Sequence, residues 1–292
     1  AEITLECNPL TMTAARLHAW RESGVNRLSV GVQSFKGDVL RILGRRHTPE
    51  QAKNAILRAF SAGYENISLD LMLGLSLQTA DSLHADITEA LSLPVTHISA
   101  YLLKIEEGTP FGKNPPGMLS DDDMAARWMQ LHDELTAAGF SHYEISNFAL
   151  PGFSSSHNTG YWTQEMYLGY GAAAASFIRK DGGWESAFRI KNREVLRDYL
   201  KGYEEYEELS KEDLMAEFMI LGLRMVKGVN DDTFIGRYGV SFFERYGKVL
   251  DKYQRYGVLE RDGNTVRLTN YGQDVCNILF EEFCSVSASF SP

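Results

Sequence analysis

The feature that most limits the fold is a repeated alternation in the first hundred residues. Apolar runs rich in Val, Ile and Leu at 3–7, 27–32, 67–73 and 97–103 are separated by stretches of 3.6-residue periodicity at 13–23, 36–43, 49–62 and 81–91. Strands joined through a helix-length segment pair in parallel, whereas antiparallel neighbours need only a tight turn. The order predicts successive parallel βα units. The strands read as nearly apolar on both faces, as when helices cover one side and a filled barrel or second helical layer covers the other. Helix punctuation agrees. Thr13 can cap one helix, and Thr48-Pro49 can start another. Gly24 and Gly63 stand where left-handed C-caps belong, each just before a strand.

From about residue 144 the texture changes. The stretch YEISNFAL predicts one short strand, and SSSHNTGYW (154–162) a flexible turn after Pro151-Gly152. A small-residue run at 169–174 predicts a close-packed wall behind that turn. Residues 181–200 read as a polar connector and a helix, and the charged KGYEEYEELSKED as a hinge. This sets two domains, 1–203 and 204–292. In the second, helices at 214–225, 231–238 and 242–256 precede a hairpin at Asp262-Gly263 and a last helix at 270–283. That order is winged-helix-like.

Winged helices often bind DNA. The third helix carries Arg245, Lys248, Lys252 and Arg255, but Glu244 and Asp251 interrupt them, so a packing or lid module is the other reading. Acidic residues exceed basic ones, 39 to 29, giving a formal charge of −10. That argues against a broad phosphate-tracking surface, so no nucleic-acid partner is expected. The chain shows neither a bilayer-length apolar run nor a secretory leader. Cys7, Cys276 and Cys284 have neither disulfide-framework nor metal-ligand spacing. Together these predict a cytoplasmic, reducing location, with Cys7 a small buried side chain. The chain opens directly on a strand pattern, which suggests further sequence upstream.

In βα barrels and half-barrels the working groups lie at the C-terminal ends of the strands. Glu6, Gln33 and Asp70 stand there on the first three units, and Tyr101 and Lys104 on the fourth. Arg45 follows the helix after Gln33. A carboxylate among Leu and Met needs hydrogen bonds or a cation. Glu6 and Asp70 either form a structural ion pair with Arg45 or Arg46, or accept hydrogen bonds from a ligand's ribose hydroxyls. Gln33 can add an amide, and Arg45 can clasp a ligand carboxylate. Gly74 is either a turn glycine or a point of close ligand approach. In SSSHNTGYW, an Asx-type turn with a packed Tyr-Trp pair competes with a ligand site.

Several of these stretches together resemble one family. ECNP, GVNRLSVGVQSF, LGRRHT, ISLDLMLGL, HISAYLLKIEEGTPF, YEISNFA and HNTGYW look like the radical SAM proteins of the oxygen-independent coproporphyrinogen III oxidase group, and within it the HemW-type heme chaperones. The resemblance covers nearly the whole chain. It implies an α/β fold, a partial radical SAM (β/α)6 TIM-like barrel whose first two strands are absent, followed by the winged-helix-like α+β module. It implies S-adenosylmethionine held by Glu6, Gln33, Arg45 and Asp70. It implies heme at His157, Asn158 and Tyr161, with His157 on the iron and Tyr161 with Trp162 as a flat face for the macrocycle.

The family's [4Fe–4S] cluster sits on a Cys-x3-Cys-x2-Cys loop, and neither that loop nor the family's Gly-Gly-Gly-Thr-Pro segment is in this sequence. This stretch of chain alone is therefore not expected to cleave S-adenosylmethionine. Gly-Leu-Ser-Leu-Gln replaces the usual Gly-Leu-Pro-Gly-Gln, and Ala175 stands where a histidine is usual. The implied function is heme binding and delivery to a respiratory acceptor at the membrane. Oxygen-independent coproporphyrinogen III oxidation is the enzymatic alternative, and a DNA-binding winged helix a further one.

Overall fold

The computed structural model describes residues 1–288. Its chain forms two compact units, 1–155 and 156–292. The first carries β1 (Thr4–Cys7), α1 (Ala14–Glu22), β2 (Arg27–Gln33), α2 (Gly37–Ile42), α3 (Pro49–Ser61), β3 (Asn66–Leu73), α4 (Ala80–Leu91) and β4 (His97–Leu102). A single turn, α5 (Pro110–Lys113), and α6 (Asp121–Ala137) lead to β5 (Ser141–Glu144) and β6 (Asn147–Ala149). The sheet order is β1-β2-β3-β4-β6-β5, with the first four strands parallel. Sequential order without a reversal is the arrangement of a barrel arc; doubly wound sheets reverse at a switch point.

The helix starts form as the sequence predicts. Thr13 Oγ1 accepts from Arg16 N at 3.3 Å. Thr48 and Gln51 form a reciprocal capping box ahead of Pro49. Gly24 and Gly63 adopt φ of +94° and +88°.

The strands differ from expectation. Leu28, Val30, Val32, Ile67, Leu69, Leu71, Ile98, Ala100 and Phe148 join one core with α1, α3, α4 and α6. The residues between them, Arg27, Ser29 and Gly31 on β2, Ser68 and Asp70 on β3, and His97, Ser99 and Tyr101 on β4, lie in register on the opposite face. The sheet is thus apolar on one face and polar on the other. The polar face can hold a hydrogen-bonding ligand, which a filled barrel interior cannot. YEISNFAL is likewise a β5–β6 hairpin rather than one strand, and β6 runs antiparallel to β4.

The second unit carries α7 (Ser156–Trp162), β7 (Ala175–Arg179), β8 (Ser186–Asn192), a single turn α8 (Leu196–Tyr199), β9 (Glu204–Ser210) and α9 (Lys211–Gly222). Then come β10 (Val229–Asn230), α10 (Asp231–Tyr238), α11 (Phe242–Arg255), β11 (Leu259–Asp262), β12 (Thr265–Leu268) and α12 (Asn270–Ala288). The β11–β12 hairpin turns at Gly263 with φ +58°. Phe177 on β7, Ala187 on β8 and Leu209 on β9 share a core with Leu214, Phe234, Tyr246 and Phe283. Packing divides the chain at Ser155/Ser156, earlier than the boundary expected at 203/204. The β7–β8–β9 sheet needs the C-terminal helices to bury its apolar face. No helix among the described residues is long and apolar enough to cross a membrane.

Candidate functional site

Two places gather the groups singled out in the sequence, one in each unit. The first is the polar face of the parallel sheet. Gln33 ends β2 after a break in register between Val30 and Gln33, and its φ is +73°, a left-handed conformation uncommon outside glycine. This swings the amide back over Gly31. A Cβ added at Gly31 would lie 3.2 Å from Gln33 Nε2 and 3.7 Å from Arg45 Nη1. The missing side chain thus leaves room for an amide and a guanidinium to stand on either side of Gly31. Gln33 is buried, and its Oε1 has no hydrogen-bond partner among the described residues. A buried, unpaired acceptor costs roughly 1–3 kcal/mol unless something donates to it.

Asp70 lies on the same face and in register with Ser99. Burial, then the Glu6 carboxylate, push its pKa up to about 6; a hydrogen bond from Ser99 and the charges of Arg27 and Arg45 pull the other way. Glu6, Asp70 and Arg45 are thus within electrostatic reach of one another, but none makes an ion pair with another among the described residues. The ion-pair reading of these carboxylates finds no contact to support it. Tyr101 joins the group, its phenol raised by burial and by the Asp70 charge.

The sequence reading passed over Arg27, Ser99 and Gly31. Arg27 is buried with its Nε unpartnered, an uncommon state for a cation. The signal was available, because Arg27, Ser29, Gly31 and Gln33 alternate with Leu28, Val30 and Val32. Gly74, by contrast, is a turn glycine. Its φ is +126°, and a Cβ there would meet the Met124 and Met118 methyls at 3.0 and 3.3 Å. Gln78 closes that loop, accepting from Leu75 N at 2.9 Å and donating to the Met72 carbonyl at 2.8 Å. Lys104 is exposed and paired with Glu106, apart from these groups.

An amide with an unpartnered acceptor and a guanidinium beside Gly31, with two carboxylates within electrostatic reach of the guanidinium, make a donor and acceptor set suited to a nucleoside bearing an amino-acid tail. Metal is a different matter. Among the described residues no three His, Cys, Asp or Glu are placed to hold a metal ion. Cys7 is buried, and desolvation, with Glu6 adding, pushes its thiol up to about 11. It is the inert small side chain expected. The residues present do not supply the thiolates of a [4Fe–4S] cluster.

The second place is α7. In SSSHNTGYW the last seven residues, Ser156–Trp162, form a helix rather than a turn. His157 and Tyr161 stand one turn apart on one face, with ring centroids 4.7 Å apart at 85°. Tyr161 meets Tyr167 in the same edge-on manner at 4.7 Å. His157 is exposed and Asn158 half-buried. Trp162 does not extend this face: the Arg224 guanidinium lies 5.4 Å from its ring and equally close to Phe280. Adjacent helical residues point in different directions, so Tyr161 and Trp162 diverge.

The glycine run is not a bare wall either. A Cβ at Gly169 would sit 2.1 Å from the Ala175 carbonyl oxygen, and Asn192 Nδ2 donates to the Gly171 carbonyl at 2.8 Å. Its small residues let backbone cross backbone. A cavity of about 120 Å³ lies beside Tyr161, Tyr167 and Phe177. Pockets for drug-sized ligands run to roughly 300–1,000 Å³, so this cavity is too small to enclose one.

On α11, Lys252 is bound to Glu282 and Arg255 to the Asp251 carbonyl. Phe242, Tyr246, Val249, Leu250 and Tyr253 are buried in the core. These contacts suit a packing module.

Comparison with known proteins adds the following. Residues 1–90 match the Radical SAM superfamily, and residues 209–275 the HemN C-terminal domain. The heme chaperone HemW of Lactococcus lactis subsp. lactis is 34% identical over 291 residues, 97% of this chain and 75% of that protein. The heme chaperone HemW of Bacillus subtilis is 36% identical over 294 residues, 97% of this chain and 76% of that protein. Among solved structures, coproporphyrinogen III oxidase (HemN) from Escherichia coli, a radical SAM enzyme, superposes with a TM-score of 0.81. That match covers 97% of this chain and 69% of the other at 19% identity, a likeness of fold alone.

Proposed function

Because the chain belongs to the HemW heme-chaperone family of radical SAM proteins, we propose that it takes up heme on α7 and passes it to an acceptor. Heme is cargo in this reading. His157 ligates the iron, and Tyr161 holds the imidazole edge-on. Asn158 donates to or accepts from the ligand beside it. The observation that carries the reading is the exposed His157 imidazole seated 4.7 Å from the Tyr161 ring. An exposed ligand suits delivery, since a chaperone must release what it binds. The acceptor is a membrane respiratory protein, and transfer takes place in the cytoplasm.

The same reading places S-adenosylmethionine on the polar face of the sheet. The family implies this cofactor and a [4Fe–4S] cluster. Asp70 and Glu6 accept from the ribose hydroxyls, Arg45 binds the carboxylate, and the free Gln33 Oε1 takes a donor from the ligand. When bound in the radical SAM family, the cofactor and a reduced cluster together supply a carbon-centred radical. The residues described here bind and orient the cofactor only.

The enzymatic alternative, coproporphyrinogen III oxidation, rests on the fold likeness at 19% identity. One pair of measurements separates the two. Hemin titrated into this chain should give a Soret band that His157→Ala shifts or abolishes. A full-length, cluster-loaded form should leave coproporphyrinogen unchanged. Formation of protoporphyrinogen, or a Soret band indifferent to His157→Ala, removes the proposal.

A further inference from the structure

Two arginines in the second unit close on one indole. Arg179 Cζ lies 3.9 Å from the centroid of the Trp184 ring, and Arg237 Cζ lies 4.2 Å from it. Two like charges on one ring repel, and one ring's quadrupole offsets only part of that. Burial holds the Arg237 pKa below the usual arginine value, and the Arg179 charge adds to the effect. Yet neither guanidinium makes an ion pair among the described residues. Arg237 Nη1 donates to the Thr163 carbonyl at 3.1 Å and to Gln164 Oε1 at 3.4 Å, both neutral. Arg179 Nε is buried without a hydrogen-bond partner among the described residues. Glu165 is near enough to raise the Arg237 pKa without pairing with it. In a chain of formal charge −10, two adjacent arginines without an ion pair among the described residues stand out.

Their position ties them to α7. The carbonyl that holds Arg237 belongs to Thr163, whose N–H still bonds back to Thr159. It lies six residues beyond His157, about 9 Å along a helix. From the other side, rings lead from His157 to Arg179. His157 meets Tyr161, Tyr161 meets Tyr167, and Tyr167 lies 6.2 Å from Phe177. Phe177 and Arg179 are alternate residues of β7 and share a face. The helical offset from His157 to Thr163 is comparable to the reach of the carboxylate-bearing arms of a planar ligand centred near His157.

We propose that Arg179 and Arg237, spaced by Trp184, form a clamp for the propionate carboxylates of the bound porphyrin. This rests on the heme reading of α7. Two planar forks give bidentate contacts to carboxylates, and the indole keeps both in plane before the ligand arrives.

The test uses the full chain with hemin and with hemin dimethyl ester, whose propionates carry no charge. Arg179 is the residue to change, because Arg237 also ties down the end of α7. Arg179→Gln should weaken hemin binding about tenfold and leave the ester's affinity as in wild type. Arg179→Lys should fall between, and unchanged thermal unfolding of both variants excludes a folding defect. If Arg179→Gln binds hemin as wild type does, or weakens hemin and ester equally, the clamp is wrong while the heme reading stands. If wild type takes up neither porphyrin, the heme reading fails and the clamp with it.

Discussion

Asp70 on β3 lies in register with Ser99 on β4, and the Ser99 hydroxyl stabilises a carboxylate that burial and Glu6 otherwise disfavour. The balance leaves Asp70 with a pKa of about 6. The pKa is raised in the folded chain, so the folded state binds the extra proton. The linked stability is therefore present below about pH 4 and is lost as pH rises through 6, on the order of 2–3 kcal/mol without ligand. A ligand that donates to the ionised carboxylate reverses the preference. S-adenosylmethionine should therefore bind more tightly as pH rises from 5 to 7. Asp70→Asn should flatten that rise and weaken binding about tenfold at pH 7, while raising the stability of the ligand-free protein. Calorimetric titration across pH checks it; a variant with the wild-type pH profile overturns it.

Gly31 separates the proposed cofactor site from the fold. Its backbone is ordinary for a strand, so a side chain adds no backbone strain there, but a Cβ enters the space flanked by Gln33 and Arg45. Gly31→Val should cost at least tenfold in S-adenosylmethionine affinity and change unfolding stability by no more than about 1 kcal/mol. Loss of both together would mean that Gly31 serves packing.

Acid sensitivity should come from two histidines. His97 is fully buried between Ser68 Oγ at 2.7 Å and Tyr143 Oη at 2.8 Å, and burial lowers its pKa to about 3. His142 stacks on Phe148 at 4.5 Å, and burial lowers it to about 4. Both stay neutral in the folded chain while the unfolded chain takes up protons below about pH 6.5. Their stability is thus present above 6.5 and is lost as pH falls towards 4. Urea unfolding should show a loss of several kcal/mol between pH 7 and 4.5, opposed in part by Asp70. His142→Phe, which keeps the stack, should reduce that loss by about 2 kcal/mol. An unchanged pH slope in this variant would count against the assignment.

The order of strands and helices was legible because each signal is local. Thr13, Thr48-Pro49, Gly24 and Gly63 act within a few residues of chain, and apolar spacing reports which face must be covered. Asp262-Gly263 marked its hairpin for the same reason. The polar face of the parallel sheet was not read, although Arg27, Ser29, Gly31 and Gln33 alternate with apolar residues. High apolar content masked the period of two. The helix at 156–162 was hidden too. Ser, Asn and Gly favour turns locally, and Tyr167 and α9 pack against the segment from far along the chain.

By itself, the sequence determined the succession of parallel βα units, the helix–hairpin–helix order of the C-terminal part, and the family to which both belong. The first two follow from periodicity and capping, which act over one or two turns of chain; the family follows from the resemblance of particular motifs such as ECNP, LGRRHT and HNTGYW. Only the tertiary structure decided that Gln33 bends back so that it and Arg45 both flank Gly31, that Trp162 parts from Tyr161, and that Arg179 and Arg237 share one indole. Each depends on strands and helices distant in sequence being brought side by side, and no local pattern records which neighbours a side chain will meet.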